Sequence, residues 1–184
     1  MFVSAINWII QKTGYHLQKS NKAHLPWPTA FSTVDIAIVD LEKREILLGK
    51  KNGRLNYCFP GGFTDPSSKS DAHDAVRELM EETSIEISER EIVYVSSMNI
   101  NDERYRGTKN GIRTHLYVAK VNKDEINPVA ADDLEAVRWF TFEELDDGIE
   151  YDYVETLSYN HRVLWDELKK HLPKKKKAKK NVVG

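Results

Sequence analysis

The segment FPGGFTDPSSKSDAHDAVRELMEET, Phe59 to Thr83, constrains the fold more than any other part of the chain. Ser70 has the side chain of a helix cap. Ala72, Ala75, Val76, Leu79 and Met80 follow at i, i+3, i+4, i+7 and i+8, which predicts one buried apolar stripe. At 100° per residue, Asp71, Asp74, Glu78, Glu81 and Glu82 centre roughly 130° from that stripe. Glu78 stands three residues before Glu81 and four before Glu82, so the three carboxylates can converge on one point.

Like charges at these spacings cost an isolated helix only ~0.2–0.5 kcal/mol per pair, so an acidic face alone proves nothing. A hard divalent cation would turn the repulsion into attraction, and Mg²⁺ suits carboxylates combined with substrate phosphates. Arg77 lies off the apolar stripe, placed to hold a carboxylate through a two-pronged hydrogen bond. Gly61 and Gly62 lack Cβ atoms. They let a backbone carbonyl approach the same cluster and leave room for a pyrophosphate.

Around this helix the pattern turns to strands. Alternating, β-branched residues predict a strand at about 33 to 39, with EILLGKK at 45 to 51 returning as the second arm of a hairpin. Further strands are expected at 92 to 99, 112 to 121 and near 136 to 140. A final helix at about 152 to 171 would turn Val154, Leu157, Leu164, Trp165 and Leu168 inward. Strands on both sides of the central helix, with a second helix at the end, point to an α/β or α+β layering around a mixed sheet.

The 184 residues suit one domain, 1–172, with 1–27 as an N-terminal extension and 173–184 as a lysine-rich tail expected to be disordered. The net charge of −2 hides an asymmetry. Six of the 27 basic residues lie in the last twelve, PKKKKAKKNVVG, so the body carries roughly −8. The lysines at 174–180 offer a contact for nucleic acid, but the acidic body argues against an extended footprint, and a solubilising end is the plainer reading. No apolar run reaches membrane-spanning length. A single cysteine, Cys58, excludes an intramolecular disulfide, suits a cytoplasmic location and reads as a packed residue beside Tyr57 and Phe59. His161 and His171 read as helix-surface residues, His115 as packing, and Trp139 and Trp165 as core.

The glycines followed by RELMEET resemble the box of the Nudix hydrolases, G-x5-E-x7-R-E-U-x-E-E-x-G-U, at Gly62, Arg77, Glu78, Leu79, Glu81, Glu82 and Ile85. PWPTAFSTVDIAIV, RYRGTKNGIRTHLYVAKV and DDLEAVRWFTFEEL resemble flanks of the ADP-ribose pyrophosphatases in that superfamily, so the likeness spans about residues 26 to 146. Two positions depart from the box. Its first glutamate falls on Ser68 counted from Gly62, or on Lys69 counted from Arg77, with Asp65, Asp71 and Asp74 as substitutes. Its glycine after the helix is Ser84.

The resemblance implies a Nudix α/β/α sandwich. It further implies Mg²⁺ or Mn²⁺ held by Glu78 and Glu82, with Glu81 completing the cluster, and Arg77 in the catalytic set. A later-loop acid, Asp132, Asp133 or Glu135, would serve as base, with Glu135 favoured. Gly61, Gly62, Phe63, Arg104, Arg106 and Arg113 would meet the substrate. The implied reaction is hydrolysis of ADP-ribose to AMP and ribose 5-phosphate. NADH, nucleoside triphosphates and capped RNA ends stay open as substrates, a non-catalytic sensor of ADP-ribose-like ligands stays open as a role, and a homodimer is the family expectation.

Overall fold

A computed structural model of the protein describes residues 28–147 and 156–173. Strand β1 (Ala30–Asp40) forms the spine of a mixed sheet. Its eight C-terminal residues are all buried, as befits a strand covered on both faces. One edge runs parallel to β6 (Gly111–Lys120), which pairs in turn with β5 (Ile92–Ile100) antiparallel. The other edge is divided. β2 (Glu45–Lys51) takes residues 38–40, and the short β4 (Gly61–Phe63) takes residues 33–35. Between them the Ile36 amide donates to the Pro60 carbonyl, so the diglycine enters the sheet where the edge changes partner. β3 (Tyr57–Cys58) and β7 (Leu134–Thr141) both pair with β2.

Helix α1 (Asp71–Thr83) covers one face through Ala75 and Leu79, which pack on Val34, Ile36, Ile38 and Leu47. The short α2 (Phe142–Asp147) follows β7 directly, and α3 (Tyr159–Leu168) covers the other face through Leu164, Trp165 and Leu168. Alternation along the strands feeds both cores: Ala37 and Val39 point to α3, Ile36 and Ile38 to α1. This is the expected sandwich.

Several expectations change. The final helix begins at Tyr159 rather than near 152; Leu157 precedes it in a bridge to Tyr57, and Val154 lies outside the described residues. His161 is half-buried rather than a surface residue, because it lies on the core side of α3, four residues from Trp165 and against Phe59. Met80 is 56% exposed and leaves the apolar stripe. The acidic face supplies buried groups instead: Asp74, Glu78 and Glu82 are 1%, 8% and 2% exposed. Trp165 is core, as expected. Cys58 is buried and gives its Sγ–H to the Gly49 carbonyl, and burial pushes its thiol up to about 12, which makes it a packing residue. Among the described residues no helix is long and apolar enough to cross a membrane.

Candidate active site

Helix α1 starts as its sequence predicts, with the Ser70 hydroxyl accepting the His73 amide at 3.0 Å. It ends with Ser84 in the left-handed region, φ 59°, the Ser84 amide donating to the Met80 carbonyl. A serine tolerates that conformation at a cost of about 1 kcal/mol that glycine avoids. Ser84→Gly is therefore expected to stabilise the fold by about 1 kcal/mol, read as a higher denaturation midpoint with unchanged slope.

The two glycines seat two of the box carboxylates. Gly61 has φ +153°, and a Cβ there would stand 2.1 Å from the Val34 carbonyl oxygen. Its amide donates to Glu82 Oε2 at 2.8 Å. At Gly62 a Cβ would stand 2.5 Å from the Glu78 carboxyl carbon, so that carboxylate lies directly on the glycine. Gly61 thus supplies an amide donor, and Gly62 the room that the Glu78 carboxylate occupies.

Arg77 gathers the acids. Its Nη2 lies 2.9 Å from Glu78 Oε1 and 3.2 Å from Asp74 Oδ1, and its Nη1 lies 2.9 Å from Glu81 Oε2. The Phe63 carbonyl accepts from Nη2 at 3.4 Å. Asp74 turns its second oxygen to the Asp65 amide at 3.1 Å, tying the loop after β4 to the helix. Asp74, one of the three substitutes for the first glutamate of the box, thus joins the loop, the helix and Arg77, while Lys69 pairs on the surface with Glu89 at 2.7 Å.

Lys51, at the end of β2, reaches Glu82 Oε1 at 3.1 Å and Asp133 Oδ2 at 2.9 Å. Burial works against its ammonium, but Glu82 and Asp133 outweigh that and hold its pKa above the ordinary value. Burial pushes the Glu82 carboxyl up to about 8, against the pull of Lys51 and the Gly61 amide. The loop carrying Asp133 is bound to the end of α1. The Val129 and Ala131 amides donate to the Thr83 and Glu82 carbonyls at 2.8 and 2.9 Å, and the Asn52 amide donates to the Asp133 carbonyl.

The donors fit a divalent cation in kind, two buried carboxylates beside an open diglycine. Among the described residues, however, no three acidic, histidine or cysteine side chains stand together as a ready metal site. Lys51 supplies the positive charge at Glu82.

The remaining expected residues are dispersed. Glu135 pairs with Lys50 at 3.0 Å and accepts the Gly53 amide at 3.3 Å. Lys50 and Lys51 are neighbours on one strand, and the Lys50 ammonium lies over the Tyr57 ring of the α3-side core, so Glu135 belongs to the face away from Glu82. The Lys50 bond and the Gly53 amide also hold the Glu135 carboxyl below its ordinary range, which is poor preparation for a base. Arg104 is locked to Asp102 by bonds of 2.9 and 2.7 Å and lies 5.3 Å over the Phe63 ring. Arg106 is exposed just beyond that turn. Arg113 alternates with Ile112 and Thr114 onto the α1 face, beside His115, which bonds Ser97 at 2.8 Å. Arg104 and Arg113 therefore sit on opposite faces of the sheet.

Lys51, Asp74, Asp133 and His161 carry more of this architecture than the sequence suggested. Asp74 and Asp133 were among the acids the sequence singled out, Lys51 had no signal, and His161 continues the spacing of Leu157, Leu164, Trp165 and Leu168.

The NUDIX domain model matches residues 31–158, and the chain belongs to the Nudix family. It is similar to a MutT/nudix family protein from Enterococcus faecalis, at 21% identity and a TM-score of 0.61 over 90% of this chain and 73% of that one. A bifunctional NMN adenylyltransferase/ADP ribose pyrophosphatase from Francisella tularensis, complexed with AMP and a Mn ion, gives 20% and 0.60 over 89% of this chain and 48% of that one. This chain thus spans about half of that enzyme. The NUDIX domain of Shewanella oneidensis NrtR, complexed with ADP ribose, gives 17% and 0.61 over 86% and 98%. At these identities the likeness establishes the fold. No curated protein matches the chain in sequence.

Proposed function

We propose that the protein is a Mg²⁺-dependent pyrophosphohydrolase that cleaves ADP-ribose to AMP and ribose 5-phosphate. The observation that carries this reading is the seating of Glu78 and Glu82, both buried, the first against Gly62 and the second on the Gly61 amide. Buried carboxylates need positive partners, here Arg77 on Glu78 at 2.9 Å and Lys51 on Glu82 at 3.1 Å, and a divalent cation would share or replace them. Glu78 and Glu82, with Glu81 at the rim, would hold Mg²⁺ or Mn²⁺. The bound ion would neutralise the pyrophosphate and make a water nucleophilic.

Arg77 keeps Glu78 and Glu81 oriented. The water oxygen bonds to one phosphorus, the bridging oxygen leaves with the other phosphate, and the water's proton passes to an acid at the site. Asp133 takes that role in preference to Glu135, because it shares Lys51 with Glu82. Arg113, exposed on the face that carries Glu78 and Glu82, would meet the phosphate or ribose end, with Arg106, exposed beyond the 103–105 turn, as a further cation, whereas the Arg104–Phe63 pair lies on the opposite face. The likeness to structures holding AMP and ADP ribose supports this choice of nucleotide.

One observation favours a second reading. Lys51 on Glu82 and Arg77 on Glu78 already give both buried carboxylates a positive partner, as a non-catalytic sensor of ADP-ribose-like ligands would tolerate. A panel of nucleoside diphosphate derivatives, triphosphates, NADH and capped RNA, incubated with and without Mg²⁺ and resolved by product, separates the two. AMP from ADP-ribose only with Mg²⁺ is the expected result. Micromolar binding without products at any metal concentration would establish the sensor.

A further inference from the structure

The Phe59–Pro60–Gly61 segment is gripped from both sides of the sheet. Proline has no amide hydrogen, so the segment has two main-chain donors, and a side chain accepts each. Gly61 donates to Glu82 of α1 at 2.8 Å, and Phe59 donates to Nδ1 of His161 of α3 at 3.3 Å. The imidazole also stacks on the Phe59 ring, with centroids 6.0 Å apart and planes inclined by 14°. An amide donating into Nδ1 requires the proton on Nε2, which fixes the tautomer.

Behind the ring lies Asp35, buried, with Oδ1 3.5 Å from Nδ1 and its other oxygen bonded by the Thr114 hydroxyl. Asp35 is also the residue of β1 that pairs with Gly61 in the sheet. Burial drives both groups toward their neutral forms, lowering His161 and raising Asp35.

We propose that His161 is a positioning residue for the active site, fixing the Phe59 amide and thereby the placement of Gly61 and the orientation of Glu82. It acts through the main chain and touches neither the cation nor the substrate. The inference rests on the reading of Glu82 as a metal ligand for its consequence, though the grip on the segment stands apart from it.

Two variants of the full chain test it. His161→Phe keeps a ring to stack on Phe59 and removes the acceptor, whereas His161→Asn returns an acceptor near the Nδ1 position without the ring. In His161→Phe the Phe59 and Gly61 amides should exchange hydrogen about tenfold faster than in the wild type, the loss expected for one hydrogen bond. Mn²⁺ affinity should fall by about tenfold, as when a partner behind a metal ligand is removed. His161→Asn should stay within about threefold on both, since the bond is retained.

The reverse order, with phenylalanine tolerated and asparagine not, would show a packing role and overturn the proposal. Should His161→Phe not fold, ¹⁵N spectra of the wild type decide: Nδ1 must be unprotonated and coupled to the Phe59 amide, and a protonated Nδ1 refutes the assignment. The exchange arm tests the grip even if no nucleotide is hydrolysed. Wild type that binds no Mn²⁺ counts against the metal site, and unchanged exchange in His161→Phe counts against His161.

Discussion

Glu82→Gln is expected to reduce Mg²⁺-dependent turnover by at least about a hundredfold while the protein stays folded, because the change removes a charge that several kcal/mol of metal-based stabilisation depend on. The fold should survive because glutamine keeps an oxygen to accept the Gly61 amide, and Lys51 keeps Asp133. The Lys51 ion pair is lost together with the desolvation cost of the carboxylate, so the denaturation midpoint should change little. Turnover at the wild-type rate would sink the assignment of Glu82. A collapsed denaturation midpoint would show that the carboxylate is structural.

The largest stability effect is expected at Gly61→Ala. Its Cβ would stand 2.1 Å from a backbone oxygen, which cannot rotate away, and its φ of +153° is one that alanine rarely adopts. Overpacking and backbone strain each cost about 1–3 kcal/mol, so a loss of about 3 kcal/mol is expected in urea denaturation. Gly62→Ala differs in kind. Its Cβ would meet the Glu78 carboxylate, the far end of a flexible side chain, so Glu78 moves and activity falls with a smaller loss of stability. If Gly61→Ala denatured within about 1 kcal/mol of wild type, below the expected strain, the close approach to β1 would be wrong.

The fold was legible because periodicity and capping were unambiguous in the segments that matter. Ser70, Ala75 and Leu79 fixed α1, and alternation through 33–39 and 112–121 found the two parallel strands, although β1 is longer than its pattern suggested. The acidic residues were legible as a cluster but not as buried groups. A helical wheel shows where side chains point and not what other segments lay over them, here β4 and the 129–133 loop. Asp74 was one of three acids that sequence spacing left equal, and its burial and its bonds to the Asp65 amide and Arg77 distinguish it. Lys51 and Asp133 lie 82 residues apart and meet through the β2–β7 pairing, whose register shifts at Lys50/Lys51. No local pattern announces that meeting. Glu135 was favoured over Asp133 for the same reason, since two residues on one strand end cannot be assigned to faces before the bulge is known.

Helix α1 does not close its own C-terminus. Two of its last carbonyls are answered by amides of a segment that enters more than forty residues later, so the connection before β7 serves as a borrowed cap. Its length is accordingly fixed by the helix as well as by the strand it leads into. An insertion between 129 and 133 would shift the Glu82 end of the helix. Variation in loop length is thereby steered toward other connections, such as the turn bearing Arg104 and Arg106.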